Sequence, residues 1–177
     1  MTAWVALLRG VNVGGITIRS AELAGLFREL GFDEVRTVLA SGNVAFEADA
    51  AIGRRDELKM RIEKALRDRF GYDAWILLVT ADELAAAIGG FPFDAEDDAR
   101  QPWVIFCVDG ATRDELAEAA ASLDSSVDPV QAGAGVVYWN PVKGTTTDTP
   151  FAKLLAKKAF KPRTTNRNLR TLHKIAG

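Results

Sequence analysis

Two short stretches rich in glycine and asparagine contain the side chains best suited to hold a ligand. The first begins at Arg9, where an apolar run ends, and the second lies further along the chain around Gly42. Glycine admits positive φ and lets the backbone come close to a ligand, and arginine offers a two-pronged fork of N–H donors. Together with backbone N–H groups, such residues are typical of a site for phosphate or carboxylate. The candidate ligand-binding residues are Arg9, Asn12, Gly14, Gly15, Ser41, Gly42 and Asn43.

These stretches match no established nucleotide-binding fingerprint. Gly10, Gly14 and Gly15 do not fit the spacing G-x-G-x-x-G, and G-x-x-x-x-G-K-[ST] does not occur. The stretch 41–46 resembles the third-strand motif of RNA-recognition modules, but Phe46 is its one aromatic residue where stacking needs several. A purely structural interpretation stays open, because asparagine side chains in turns often bind nearby backbone and would here tie the two loops together.

A second candidate site lies in a threonine-rich loop that leads into a late helix. The loop covers residues 143–148, and it is followed by Thr149 as the expected N-cap and Pro150 at the first helical position. Unpaired N–H groups at the start of a helix attract anions, and Lys143 would strengthen the attraction. The alternative interpretation is a flexible loop capped by its own threonine and aspartate side chains.

The formal net charge of −2 hides a strongly basic C-terminal segment. Residues 141–177 contain nine lysines and arginines against one acid, Asp148, whereas the rest of the chain is acidic. The cations that could form a surface for an anion or a nucleic acid are Lys143, Lys153, Lys157, Lys161, Arg163, Arg167, Arg170 and Lys174.

Helical spacing orders these cations into two expected stripes. Lys153, Lys157 and Lys161 follow an i, i+4, i+8 pattern and are expected on one helix face. Arg167, Arg170 and Lys174 are expected on the final helix, opposite its apolar side. Such stripes contact phosphates, so a nucleotide or a nucleic acid is the expected partner. Two alternatives stay open: the basic faces are simply solvated, or they dock on the acidic remainder of the chain, which would also allow a homo-oligomer.

The chain lacks the residue types for several common chemistries. It has one histidine, His173, and one cysteine, Cys107, which excludes an internal disulfide and a zinc site of cysteines and histidines. Both residues are expected in structural roles, Cys107 within an apolar strand. We expect no cofactor and no metal, and a binding protein is favoured over an enzyme. An enzyme built from these residues would act by positioning and electrostatics.

The sequence predicts a cytoplasmic protein without a membrane anchor. No apolar run approaches the roughly 20 residues that a membrane-spanning helix needs. No basic region precedes the first apolar stretch, as it would in a signal peptide. The single cysteine fits a reducing compartment.

Hydrophobic periodicity divides the chain into two similar successions of elements. In the first, apolar runs predict strands, and apolar residues at helical spacing predict helices. The predicted order is a strand over 4–8, a helix capped by Ser20 and stopped by Gly31, strands over 35–39 and 44–46, a helix over 52–70, a strand over 75–79, and a helix that opens with a capping box at Thr80 and Glu83 and ends at Gly89.

After a linker over residues 90–102, rich in glycine, proline and acids, the pattern restarts. The predicted order is a strand from Trp103, a helix over 113–123, short strands near Val127 and over 136–139, a helix from Pro150, an extended piece over 163–165, and a final helix with Leu169, Leu172 and Ala176.

This succession predicts an α+β fold of two tandem ferredoxin-like (βαββαβ) halves, 1–89 and 103–177, each followed by a short helix, with the second less regular. In that topology the first strand is antiparallel to the third, and the end of the one lies beside the start of the other. The two glycine- and asparagine-rich loops are therefore expected to converge, with Arg9 close to Gly42.

Four motifs, specific when taken together, point to a known family. They are residues 6–15, 31–32, 39–44 and 164–168. In these motifs the chain resembles the bacterial family catalogued as domain of unknown function 1697. The resemblance implies a tandem ferredoxin-like α+β protein of the bacterial cytoplasm and carries no assigned activity. The chain departs from the family pattern in the loop 142–148 and at Leu169, where the family tends to have tryptophan.

Overall fold

The computed structural model describes residues 1–10, 17–39 and 42–177. The chain forms two units, one of Met1–Leu84 with Lys174–Gly177 and one of Ala85–His173. Each unit is built on a four-stranded antiparallel sheet flanked by helices, so the fold class is α+β. Within the described part of the chain, no helix has the length and apolar character needed to cross a membrane.

The sheet of the first unit has the strand order β2-β3-β1-β4, with every strand antiparallel to its neighbours. Its elements are β1 (Thr2–Arg9), α1 (Ser20–Glu29), β2 (Asp33–Val38), β3 (Asn43–Ala48), a 3₁₀ turn (Ile52–Arg54), α2 (Arg55–Phe70), β4 (Trp75–Thr80) and α3 (Ala81–Gly89), the last of which continues past Leu84.

β1 is buried on both faces, as its uninterrupted apolar sequence predicts. Trp4 and Leu8 belong to a core that also holds Phe27 of α1 and Ile62 of α2. Leu7, which points to the opposite face because strand side chains alternate, is buried as well. A central strand covered on both sides is a rigid place from which to present the residue at its end.

The ends of the first-unit helices follow the sequence signals with one exception. The capping box before α3 is confirmed: Thr80 N donates to Glu83 Oε1 at 2.9 Å, and Glu83 N donates to Thr80 Oγ1 at 3.1 Å. Gly31, with φ +88°, follows the end of α1 as expected. The predicted cap at Ser20 is wrong, because Ser20 is the first helical residue and Arg19 occupies the N-cap without a side-chain bond.

The sheet of the second unit has the strand order β6-β7-β5-β8. Its elements are β5 (Trp103–Cys107), α4 (Gly110–Ala120), β6 (Val130–Ala132), β7 (Val136–Trp139), α5 (Pro150–Leu155), a 3₁₀ turn (Lys161–Arg163), β8 (Thr164–Asn168) and α6 (Leu169–Ala176), whose residues from Lys174 onwards belong to the first unit.

Two elements of the second unit begin at other residues than the sequence predicted. The strand expected near Val127 begins only at Val130, because Val127 and Asp128 donate their N–H groups to Asp124 O in a turn. The helix expected from Arg113 begins at Gly110, because Asp109 is its N-cap. The Asp109 carboxylate accepts from Thr112 N at 2.8 Å, which fixes the first turn.

Candidate functional site

The end of β1 lies beside the start of β3, as the expected topology requires. Leu7 pairs with Asn43 across the sheet, and Leu8 N donates to Gly42 O at 2.8 Å. Arg9, the last residue of β1, is therefore a close neighbour of the turn that opens β3. Arg9, Gly42 and Asn43 are the candidate residues that the structure describes at this sheet end, whereas Asn12, Gly14, Gly15 and Ser41 lie outside the described residues.

Asn43 has the structural role that the alternative interpretation gave it. Its side chain is fully buried, with 0 % exposure, and its Nδ2 donates to Val38 O at 2.9 Å. Val38 is the last residue of β2 and also the cross-strand partner of Asn43. The amide therefore fixes the passage from β2 to β3, where Gly42 adopts φ +78°. This hydrogen bond supports the shape of the site.

Arg9 is held against an aromatic ring at the same sheet end. Its cross-strand partner is Trp75, the first residue of β4, and its Cζ lies 5.8 Å from the centroid of the Trp75 ring. The side chain is half-buried, and this burial lowers the pKa of Arg9 from its ordinary value. Arginine nevertheless remains a cation at neutral pH. No carboxylate of the described residues forms an ion pair with Arg9.

A second cation, Lys59 of α2, approaches the same ring. Its Nζ lies 5.6 Å from the Trp75 centroid and 2.9 Å from Glu63 Oε2. Glu63 is buried, and the same oxygen accepts from Ile76 N at 2.9 Å. The lysine is thus balanced by an acid one helical turn away, whereas Arg9 has no such partner in the described ranges. Two cations, Arg9 and Lys59, therefore lie near the Trp75 ring, and Glu63 pairs with the second of them.

Sequence reasoning missed Lys59, Glu63 and Trp75, although the first two left a signal. Glu63 sits next to Ile62 and three residues before Leu66, on the face of α2 that must be apolar, and a carboxylate there predicts a buried partner. Lys59 precedes it at the favourable i, i+4 spacing. The pairing of Trp75 with Arg9 left no local trace, because it depends on the register of two distant strands.

A buried hydroxyl lies within electrostatic reach of Glu63. Tyr72, in the connection between α2 and β4, has its OH buried without a hydrogen-bond partner in the part of the chain that the structure describes. Burial, with a smaller contribution from the negative charge of Glu63, raises the pKa of Tyr72 to about 12. The phenol is therefore neutral at physiological pH.

The start of α5 offers less to an anion than the sequence suggested. Thr149 is the N-cap and Pro150 the first helical residue, as predicted. Thr149 Oγ1, however, accepts from Ala152 N at 3.2 Å, and the buried carboxylate of Asp128 accepts from Phe151 N at 3.1 Å. Two N–H groups that an anion would need are therefore already satisfied by the protein. Lys143 is exposed at the other end of the loop.

The lysine stripe expected on a long late helix is wrong. α5 ends at Leu155, so Lys153 is helical while Lys157 and Lys161 lie beyond it, Lys161 in a 3₁₀ turn. The chain tightens after the helix, because Lys157 N bonds Leu154 O three residues back. All three lysines are exposed and form no ion pair with any acid of the described ranges.

The arginine stripe expected on the final helix also needs correction. Arg167 lies in β8 and not in α6, and it is buried, with its Nη1 on Thr165 Oγ1 at 2.9 Å. Arg170 and Lys174 are on α6 and exposed. Arg163 is half-buried and forms an ion pair with Glu115 at 2.8 Å. The basic surface is therefore smaller than the sequence implied.

The two antiparallel sheets with their flanking helices define the class: an α+β protein with a polar sheet end around a half-buried arginine. The chain belongs to the family described as "Protein of unknown function (DUF1697)", whose model matches residues 1–138. No curated protein matches the chain.

A solved structure has the same fold as the whole chain. It is described as the structure of conserved bacterial protein SP0830 from Streptococcus pneumoniae. The two share 24 % sequence identity and superpose with a TM-score of 0.81, over 99 % of this chain and 97 % of that one. At this identity the likeness establishes the fold alone.

Proposed function

We propose that this protein binds an anionic ligand, a nucleotide, a phosphorylated metabolite or a short nucleic acid, at the sheet end formed by Arg9 and the turn at Gly42. The observation that carries the proposal is the state of Arg9. Its guanidinium is half-buried, its Cζ lies 5.8 Å from the centroid of the Trp75 ring, and it has no carboxylate partner among residues 1–10, 17–39 and 42–177.

Such an arginine is costly in the free protein, and an anion removes the cost. Burying a cation without a partner is unfavourable, because the charge loses water and gains no opposite charge. A cation beside an aromatic face is attracted by the ring without using its N–H donors, which stay available for two parallel hydrogen bonds. Phosphate and carboxylate oxygens fit that geometry. Lys59, near the same ring, adds to the attraction.

We also propose that the chain consists of two tandem ferredoxin-like halves, over residues 1–89 and 103–177, each built on one of the two sheets. The element order and the antiparallel strand orders β2-β3-β1-β4 and β6-β7-β5-β8 support this assignment. It makes the anion site a property of the first half, at the end of its central strand.

An enzyme remains the principal alternative. Arg9 would then stabilise negative charge that develops on a phosphorylated or carboxylated substrate, with Asn12 as a second polar group. Turnover of a panel of phosphorylated metabolites that disappears in the variants Arg9→Ala and Asn12→Ala would establish it.

The test of the binding proposal is an amide NMR titration of the full chain with ribose 5-phosphate at low salt. We expect saturable shifts of the Gly10 and Gly42 signals, and an affinity that falls as salt rises. Arg9→Ala should weaken binding about tenfold or more, because a charge-assisted bidentate contact is lost.

Arg28→Ala is the matched control, since Arg28 is an exposed arginine of α1 in the first unit and belongs to neither candidate site. It should bind ribose 5-phosphate as the unaltered protein does. An affinity that Arg9→Ala leaves intact would overturn the proposal.

The exposed lysines support a second candidate, a nucleic-acid surface in the second unit. Lys153, Lys157 and Lys161 lie within nine residues and are unpaired among the described residues. Their joint replacement by glutamine should remove about three phosphate contacts to a short single-stranded RNA. The slope of the logarithm of the binding constant against the logarithm of the salt concentration should become correspondingly shallower. A salt dependence that does not change would exclude this surface.

Light scattering over a range of salt concentrations tests the remaining alternative, self-association between acidic and basic parts of the chain.

A further inference from the structure

Leu39 combines a backbone conformation that is unfavourable for leucine with an exposed apolar side chain. It follows the last residue of β2 and adopts φ +58°, in the left-handed region that side chains other than glycine and asparagine rarely occupy. Its side chain is 50 % exposed. The residue therefore bears backbone strain and places apolar surface in water.

A different residue would suit the free protein better at this position. Glycine or asparagine would take the same φ with less strain, and neither would expose an aliphatic side chain. Strained residues persist where the surrounding structure holds them and are concentrated at ligand sites. The turn is held in this way, because the buried Asn43 side chain binds Val38 O directly before Leu39.

The sheet register places Leu39 at the same end as Arg9. Across that end the order is β2, β3, β1 and β4, so Leu39 follows the strand on one side of Asn43, and Arg9 ends the strand on its other side. Two strand spacings correspond to about 10 Å. A bare phosphate cannot contact points that far apart, whereas a phosphorylated molecule with a planar or apolar group at its other end can.

We infer that the ligand of the Arg9 site carries an aromatic or apolar group besides its anion, in the manner of a nucleoside monophosphate, and that Leu39 contacts this group. The inference rests on the proposed function and adds the class of ligand to it. Arg9 holds the phosphate. Leu39 covers one side of the base and becomes buried only in the complex.

The test compares AMP with ribose 5-phosphate, which has the same phosphate and pentose and no base. Both are titrated into the full chain and followed by amide NMR. We expect AMP to bind about tenfold more tightly, as burial of one leucine side chain against a planar group predicts. Leu39→Asn should abolish most of this preference and leave the affinity for ribose 5-phosphate unchanged, because asparagine keeps the left-handed backbone.

Two further variants make the result specific. Leu39→Met retains an apolar side chain and should retain the preference for AMP. Val142→Asn removes an exposed apolar side chain in the second unit and should leave both affinities unchanged. An amide spectrum that is unaltered apart from residues close to position 39 establishes that Leu39→Asn is folded.

The outcomes separate this inference from the proposed function. Equal affinities of AMP and ribose 5-phosphate, both lost in Arg9→Ala, would overturn the role of Leu39 and keep the anion site. A preference for AMP that survives in Leu39→Asn would have the same meaning. Failure of both compounds to bind would overturn the anion site and the inference with it.

Discussion

Asp128 and Phe151, 23 positions apart in sequence, are joined by a hydrogen bond at the start of α5: Phe151 N donates to Asp128 Oδ2 at 3.1 Å. The other carboxylate oxygen accepts from Trp139 Nε1 at 2.9 Å. Asp128 is 3 % exposed, so one buried carboxylate satisfies a helix terminus and an indole of the core together.

Removal of this carboxylate should destabilise the second unit. We expect Asp128→Ala to lower the free energy of unfolding by about 3 kcal/mol, because two buried donors lose their acceptor. Urea denaturation of the full chain measures the change. Asp148→Ala, at an exposed acid of the same region, is the control and should change stability by less than about 0.5 kcal/mol. If Asp128→Ala also lowered the free energy of unfolding by less than about 0.5 kcal/mol, the capping role of Asp128 would be contradicted.

The two tyrosines should respond to loss of their hydroxyls with opposite signs. The buried OH of Tyr72 has no partner among the described residues, so Tyr72→Phe should leave stability unchanged or raise it by up to about 1 kcal/mol. Tyr138 OH donates to Ala87 O at 2.7 Å, and Tyr138→Phe should lower stability by about 1 kcal/mol. Thermal unfolding of both variants checks the comparison. A clear loss of stability in Tyr72→Phe would mean that its hydroxyl has a partner.

Alkaline pH should destabilise the fold partly through Cys107. Burial raises the pKa of its thiol to about 12, whereas the thiol of the unfolded chain ionises near its ordinary value of about 8.5. Between these values the unfolded chain has released a proton that the native state retains. The free energy of unfolding therefore falls as pH rises from about 9 towards 12.

This contribution is best measured in the Tyr72→Phe background, since the raised pKa of Tyr72 acts in the same direction above pH 10. Cys107→Ala should flatten the pH profile of stability between 9 and 12. The native thiol should also react slowly with a disulfide reagent at pH 8. Rapid reaction without unfolding would show that the thiol is accessible.

Arg36 should stabilise the last turn of α6 within the first unit. Its Nη2 donates to Ile175 O at 2.6 Å, and its Nη1 donates to Lys174 O at 3.4 Å, so the cation meets the carbonyls at the negative end of the helix. We expect Arg36→Ala to reduce amide exchange protection in this turn about fivefold, which corresponds to about 1 kcal/mol. Arg28→Ala, which loses one long contact to Val35 O, is the comparison and should leave α6 unchanged.

Local signals in the sequence predicted the elements that depend on local interactions. The continuous apolar run before Arg9 predicted a strand buried on both faces, and the structure has β1 there. The spacing of Thr80 and Glu83 predicted a capping box because its two hydrogen bonds join neighbours in the chain. The N-cap at Thr149 was predictable for the same reason.

Interactions between distant segments account for what the sequence did not reveal. The cation repeat 153–161 fits a helix, but α5 ends at Leu155, because a helical spacing of charges does not determine where the chain turns. The cap from Asp128 to Phe151 depends on tertiary structure. The same holds for the candidate site, since only the register of β1 and β4 places Arg9 opposite Trp75.

The central place of β1 in its sheet has a consequence for biosynthesis. Its neighbours are β3 and β4, and the second of these is made only when residues 75–80 have been translated. Until then one edge of the apolar strand β1 has no partner. The segment that joins β1 to β4 is long, and closure of a long loop is slow. Unpaired apolar edges promote association between nascent chains. The nascent chain is therefore expected to expose an unpaired edge of β1 until residues 75–80 have left the ribosome.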